Sequence, residues 1–170
     1  MDVLLTGFEP FRQWTVNSSG EVARALSGRA GLATRILPVD HRAGAEALRM
    51  ALAETDPRLV LCTGLCPELR PRLELRARRP ETEPDGTAVH VGVWPWAASL
   101  QAMRATGAPA RLSGDAGAYV CETVYWTALD ARRSGRAVPV AFLHLPPLSD
   151  AWPLDRHVAT VEACLAGAAA

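Results

Sequence analysis

The chain has no lysine, and it has no excess of either charge: its 18 basic residues, all arginine, are matched by 18 acidic ones. A balanced chain offers no electrostatic footprint for nucleic acid or for an anionic membrane surface, so neither is expected as a partner. The missing lysine reads as genome bias rather than function. Long apolar runs are also lacking. The longest uncharged stretch, Gly86 to Met103, contains His90, Pro95 and Gln101, and it reads poorly as a membrane span. The opening Met1-Asp2-Val3-Leu4-Leu5-Thr6-Gly7 has no basic segment and too short an apolar run for a secretory signal. A cytoplasmic location follows as the expectation. Cysteine is sparse, and in that compartment Cys62, Cys66, Cys121 and Cys164 are expected to be reduced. Cys62-x3-Cys66 is half of a zinc site at most. No second Cys/His pair has ligand spacing and Cys62 falls in an apolar run, so neither a metal nor a cofactor is expected. A metal-dependent hydrolase using Cys62, Cys66 and a histidine is the reading that bound zinc would favour.

What is present is ordinary for a globular chain: 49% hydrophobic and 21% charged residues over 170 positions, enough for one sizeable core. There is no internal repeat and no linker long enough to divide it. Short apolar runs ended by glycine alternate with helical patterns. Val3 to Thr6, Thr34 to Val39 and Arg58 to Gly64 read as strands. Asn17, Ser18 and Ser19 supply N-cap chemistry for a helix through about Leu26, with Glu21 placed for a capping box. His41 to about Ala53 reads as the next helix. Such alternation predicts a mostly parallel sheet with helices on both faces, and in such sheets ligands bind beyond the carboxyl ends of the strands.

Further along, Leu73 to Arg79 alternates with period two and reads as one strand, placing Glu74, Arg76 and Arg78 on a common face. Pro80 to Gly86 reads as a polar loop, Ala88 to Val93 as a strand-like piece, Ala97 to Thr106 as a helix and Ala110 to Ser113 as a short strand. Val138 to Leu145 is a strand cut by Pro146-Pro147. Asp155 to Ala168 is a terminal amphipathic helix.

The stretch from Ser113 to Trp126 reads as a strand end, a turn with Gly114 and Gly117 available for positive φ, and a helix opening at Cys121 that Gly135 ends. Val120, Cys121, Val124, Tyr125, Ala128 and Leu129 form its buried stripe. A thiol in a first helical turn meets unpaired N–H groups and the positive dipole end, which favour a thiolate nucleophile; a free cysteine there also serves as a small buried hydrophobe. Among the four histidines, His41 and His157 fall at helix starts and His90 in a loop. His144 alone ends a central strand, on the same rim as Cys121. Glu74 and Asp115 are both candidates for the group that orients its imidazole. The aromatic loop Gly7-Phe8-Glu9-Pro10-Phe11-Arg12-Gln13-Trp14 suggests a pocket wall at that rim.

Four blocks carry a resemblance: Leu4-Leu5-Thr6-Gly7-Phe8-Glu9-Pro10-Phe11, Leu37-Pro38-Val39, Ala116-Gly117-Ala118-Tyr119-Val120-Cys121 and Phe142-Leu143-His144-Leu145-Pro146. Through them the chain resembles, almost end to end, the pyroglutamyl peptidases, cysteine peptidases of a small α/β family. The resemblance implies a three-layer α/β/α sandwich with a mostly parallel central sheet, similar to the purine nucleoside phosphorylase fold. It implies a single catalytic domain over residues 1–170, assembled as a homo-oligomer (a dimer or tetramer). It also implies an exopeptidase that removes N-terminal pyroglutamate (5-oxoproline) from peptides through a Cys-His-Glu triad and a thioacyl intermediate. Cys121 matches the nucleophile, His144 the general base and Glu74 the glutamate. Phe8 and Phe11 match the aromatic pair around the lactam ring, and Leu65 a position of main-chain contact. Two blocks depart from the family pattern. Cys66-Pro67-Glu68-Leu69 stands where the family has Gly-Gly-Arg, and Glu122 replaces the asparagine after the nucleophile, where its negative charge would oppose thiolate formation. No clear counterpart of the oxyanion arginine follows Arg78, leaving Arg78 or Arg79 to assist. These departures keep open a catalytically silent homologue that binds pyroglutamyl peptides or 5-oxoproline.

Overall fold

The structure, a computed structural model, describes residues 2–78, 89–134 and 138–169, and for residues 132–134 the backbone alone. The polar loop read over Pro80 to Gly86, Arg79 as an oxyanion helper and Gly135 as a helix stop lie outside the described residues.

Apolar runs become the central strands. β1 (Val3–Phe8) lies between β2 (Leu32–Leu37) and β3 (Leu59–Leu65), parallel to both. β8 (Val140–Leu145) extends the sheet parallel to β3. β4 (Arg72–Glu74) then runs antiparallel to β8 and parallel to the last strand, β7 (Arg111–Ser113), giving the order β2-β1-β3-β8-β4-β7. β3 and β8 are buried along their whole length, as strands covered on both faces must be. Alternate residues feed two cores. Leu4, Val60, Cys62 and Phe142 pack under α2 (His41–Thr55) and α4 (Val120–Ser134). Leu5, Leu61, Ala141 and Leu143 pack under α1 (Ser18–Ala25), α3 (Trp96–Ala105) and α5 (Leu154–Ala169). This is the expected three-layer α/β/α sandwich with a mostly parallel sheet.

Several local readings need correction. β1 does not stop at Gly7 but continues through Phe8, because that glycine lets α1 press against the strand: a Cβ there would lie 2.2 Å from the Ser19 carbonyl oxygen. Asn17 caps α1, its Oδ1 accepting from Ser19 N at 3.1 Å and Ser19 Oγ at 2.8 Å. Glu21 lies one residue too far along for a capping box and pairs with Arg24 instead. The alternating stretch from Leu73 is not one strand. Leu75 N donates to Ser113 O while Leu75 O accepts from Gly92 N, so the chain leaves the main sheet there. β5 (Arg76–Arg78) then forms a separate antiparallel pair with β6 (Val89–Val91). Glu74 is therefore fully buried while Arg76 and Arg78 face solvent. His90 belongs to β6 rather than a loop, stacked on Trp126 with ring centroids 3.8 Å apart.

His157 opens α5 with no exposed surface, its ring 5.2 Å from that of Trp152. Burial holds its pKa down to about 4, with the nearby Arg156 charge acting the same way; the carbonyls of Pro147 and Trp152 pull upward without forming well-aligned hydrogen bonds. The unfolded chain titrates this side chain near 6.5, so between those values the unfolded state binds a proton that the folded state refuses. His157 thus contributes stability that is lost as pH falls through that window. Urea midpoints measured from neutral pH down to about pH 4 should fall less steeply in His157→Phe than in the unmodified protein. Identical slopes would contradict this.

Candidate active site

The turn into α4 is held from both sides. Asp115 N donates to Ser113 Oγ at 3.2 Å, and Gly117 N donates to Asp115 Oδ1 at 3.1 Å. Gly117 has φ +90°, whereas Gly114 needs no positive φ. From the β5–β6 pair, Arg76 Nε donates to Gly114 O at 2.9 Å and Arg78 Nη1 lies 3.3 Å from Asp115 Oδ1. Arg78 is thus engaged with the turn, and Asp115 is solvated there rather than near an imidazole. Helix α4 begins at Val120, placing Cys121 second in its first turn. Its sulfur rests on β3: a Cβ at Gly64 would lie 3.0 Å from Cys121 Sγ and 2.8 Å from the Phe142 ring. Only glycine lets the thiol sit on the strand in this way.

The register of the sheet brings up the imidazole. Gly64 and His144 are partners in adjacent parallel strands, so their side-chain directions share a face. His144 lies beside Phe142, ring centroids 4.8 Å apart. From the antiparallel β4, Glu74 reaches across, and its Oε1 is 2.9 Å from His144 Nδ1. An ionised carboxylate only accepts, so Nδ1 carries the proton and Nε2 keeps its lone pair. Among the described residues, Nε2 takes no hydrogen bond and none joins it to Cys121 Sγ. Tyr125 Oη donates to the Glu74 carbonyl at 2.7 Å, tying α4 to β4. Of the two carboxylates that sequence left open, Glu74 is the one on His144.

Cys121 keeps some surface in the cleft and packs against the core beneath α4. Burial is the largest influence and pushes the thiol up to about 12; the Cys66 thiol and the Glu74 charge add to this, and Cys121's own backbone N–H opposes it. The helix start alone does not produce a thiolate here. Glu122 turns elsewhere. It is buried, its Oε1 accepts from the Arg78 backbone N–H, and burial raises its carboxyl above the usual range. Glu122 is not among the groups that raise the thiol, contrary to the expectation from its place after Cys121. In the free protein, thiolate therefore increases about tenfold per pH unit up to its pKa. Alkylation of Cys121 by iodoacetamide, followed by peptide mass mapping, should keep accelerating beyond about pH 9. A rate already level at neutral pH would contradict this.

Beside Cys121 lies a cleft of about 410 Å³, lined by Phe8, Phe11 and Leu65, as expected, and also by Asn17, Val39, Tyr119, Val120, Arg12, Asp40 and His41. Phe8 and Leu65 are buried, while Arg12, Asp40, His41 and Tyr119 are exposed. The floor is therefore apolar and the mouth polar. Arg12 lies over the Tyr119 ring at 5.0 Å, and His41 Nδ1 is 2.7 Å from Thr123 Oγ1. Asn17, expected only as a helix cap, also donates from Nδ2 to Glu9 O at 3.0 Å, fixing the aromatic loop against α1. The signal was available, since a cap beside an aromatic loop after a strand faces the rim. Val39 and Tyr119 stood within the resembling blocks, but nothing local marked them as lining. Cys62 is buried within β3 and Cys66 half-buried just beyond it. Among the described residues no group of three or more His, Cys, Asp and Glu side chains could hold a metal ion, and no helix is long and apolar enough to cross a membrane.

The family model described as pyroglutamyl peptidase matches residues 1–73 and 74–166. The pyrrolidone-carboxylate peptidase of Deinococcus radiodurans is 36% identical over 182 residues, covering 91% of this chain and 83% of that protein. The Bacillus subtilis protein of the same name is 31% identical over 167 residues, covering 85% and 77%. The fold matches the crystal structure of Bacillus amyloliquefaciens pyroglutamyl peptidase I with a TM-score of 0.86 at 24% identity, over 99% of this chain and 96% of that one. It matches the pyrrolidone carboxyl peptidase of Thermococcus litoralis with a TM-score of 0.88 at 23% identity, over 99% and 93%. The chain belongs to the pyroglutamyl peptidase family of hydrolases.

Proposed function

We propose that the protein is a cysteine exopeptidase that releases N-terminal pyroglutamate from peptides. The observation that carries the reading is the buried hydrogen bond from His144 Nδ1 to Glu74, on the sheet face where Cys121 Sγ rests against Gly64. Pyroglutamate has no charged amine, so an apolar floor formed by Phe8, Phe11 and Leu65 suits its lactam ring. The rest of the peptide leaves through the polar mouth.

In the reaction, Cys121 Sγ attacks the pyroglutamyl carbonyl carbon as His144 Nε2 takes the thiol proton. The thiol is neutral at rest, so deprotonation accompanies attack rather than preceding it. Glu74 holds the ring through Nδ1 and offsets the imidazolium charge. The backbone N–H of Cys121, which has no main-chain acceptor among the described residues at the start of α4, meets the developing oxyanion. The tetrahedral species collapses with cleavage of the C–N bond, and the leaving amine takes the proton from Nε2. Water, deprotonated by the same nitrogen, then hydrolyses the thioester to free 5-oxoproline and thiol. We extend the reading to one catalytic domain over residues 1–170 working as a cytoplasmic homo-oligomer (a dimer or tetramer). Light scattering and cell fractionation test those two points.

The primary test is fluorogenic amine release from a pyroglutamyl amide and from the matching prolyl amide. Release from the first alone supports the reading, because the prolyl amine would carry charge onto the apolar floor. Equal release from both, or from neither, counts against it. The second reading, a silent homologue that binds 5-oxoproline, draws on the raised Cys121 thiol and its lack of a hydrogen bond to His144 among the described residues. A thermal shift with 5-oxoproline and no amine release would favour it.

A further inference from the structure

Behind Glu74 stands a row of charges that the reaction does not use. Arg72 Nε lies 3.2 Å from Glu74 Oε1, the same oxygen that binds His144. Arg72 Nη1 lies 2.6 Å from Glu68 Oε1, and Arg111 Nη2 lies 2.9 Å from Glu68 Oε2. Glu74 is fully buried, and the Arg72 side chain is 13% exposed. We propose that Arg72 is a positioning residue, which holds and aims the Glu74 carboxylate so that Glu74 can orient His144.

A carboxylate this deep needs a compensating charge. A neutral imidazole supplies a hydrogen bond but no charge, whereas a guanidinium is cationic at every working pH. The contact acts by charge. The Arg72 N–H does not point along the line to Oε1, and Glu74 Oε2 has no hydrogen-bond partner. The backbone makes the placement rigid. Arg72 and His144 are partners in the antiparallel β4–β8 pair, so one register sets the arginine, the carboxylate and the imidazole together. Arg72 and Arg111 are also partners in β4–β7, a like-charge pair that would repel. Glu68 bridges them, its carboxyl held below the usual range chiefly by Arg111 and also by Arg72. The outer pair thus fixes the guanidinium end that faces away from Glu74.

This inference rests on the proposed reaction, and its test separates the two. In full-length protein, Arg72→Met and Arg72→Lys are compared for kcat and KM on a pyroglutamyl amide, and for the far-downfield proton NMR signal of His144 Nδ1–H, identified by its loss in His144→Asn. Arg72 does not line the cleft. The methionine variant should therefore lose kcat on the order of 10- to 100-fold, as supporting groups behind a catalytic ligand typically do, with KM nearly unchanged. The downfield signal should vanish, and lysine should restore part of both. Glu68→Gln should give a smaller kcat loss in the same sense, and it carries the test if Arg72→Met does not fold. Unchanged kcat and signal in the folded variants would overturn the proposal, as would a loss of thermal stability alone with the signal intact. Absence of hydrolysis in the unmodified protein would refute the reaction, while the downfield signal would still judge the hold of Arg72 on Glu74.

Discussion

Cys121→Ser should release no measurable amine from pyroglutamyl amides, with kcat down by at least about 10⁴-fold. The substitution preserves shape. The side chain rests against Gly64, and a hydroxyl fits where the larger sulfur fits. It alters nucleophilicity, because an alcohol in an enclosed site is far harder to deprotonate than a thiol. Phe8, Phe11 and Leu65 remain, so affinity for 5-oxoproline should stay within a few-fold of the unmodified protein, as titration calorimetry would report. Full activity in the serine variant would remove Cys121 from the chemistry. Loss of ligand binding as well would show a collapsed cleft rather than a missing nucleophile.

Glu74→Gln should lower kcat on the order of 10³- to 10⁴-fold, by analogy with the amide replacement of the third member of a serine-protease triad. Glu74 Oε1 sits between His144 Nδ1 at 2.9 Å and Arg72 Nε at 3.2 Å. An amide in its place is free to turn its NH₂ toward the imidazole, which would move the ring proton to Nε2 and leave no lone pair for the thiol. It also removes the buried charge facing Arg72 Nε and leaves Glu68 as that arginine's remaining partner. Breaking a largely buried pair from one side costs up to about 3 kcal/mol, less where the arginine keeps a second carboxylate, so the variant should unfold at lower urea while remaining folded in buffer. Steady-state kinetics and a urea titration on the same preparation check both effects. Activity within a few-fold of the unmodified protein would mean that Glu74 does not orient His144.

Much of the sandwich was legible because its rules are local. Apolar runs in β1, β3 and β8 and the stripe of α4 show in the sequence without any knowledge of neighbours. Cys121 and His144 stood out for the same reason, each marked by its position at an element's end. What escaped depends on pairing. The alternation from Leu73 to Arg79 is consistent with one strand, and only the hydrogen bonds of Leu75 to two different neighbours reveal the break that buries Glu74. Arg72 lies two residues before Glu74 on β4, so alternation already sets both on one face; that His144 faces them shows only in the β4–β8 register. The direction of Glu122 depends on a backbone N–H from the separate β5–β6 pair. The cleft draws Asn17, Val39 and Tyr119 from three segments, so no single window of sequence contains it.

Cys121 should carry the pyroglutamyl group as a thioester during turnover, which mass spectrometry of the acid-quenched enzyme would detect. Protein mixed with an excess of a pyroglutamyl ester or amide and quenched within the first turnovers should carry the added mass of one pyroglutamyl group. Peptide mapping should place it on the fragment containing Cys121, with none on Cys66, and hydroxylamine should remove it. Amine release with no adduct at Cys121, or with the adduct on another residue, would contradict the account.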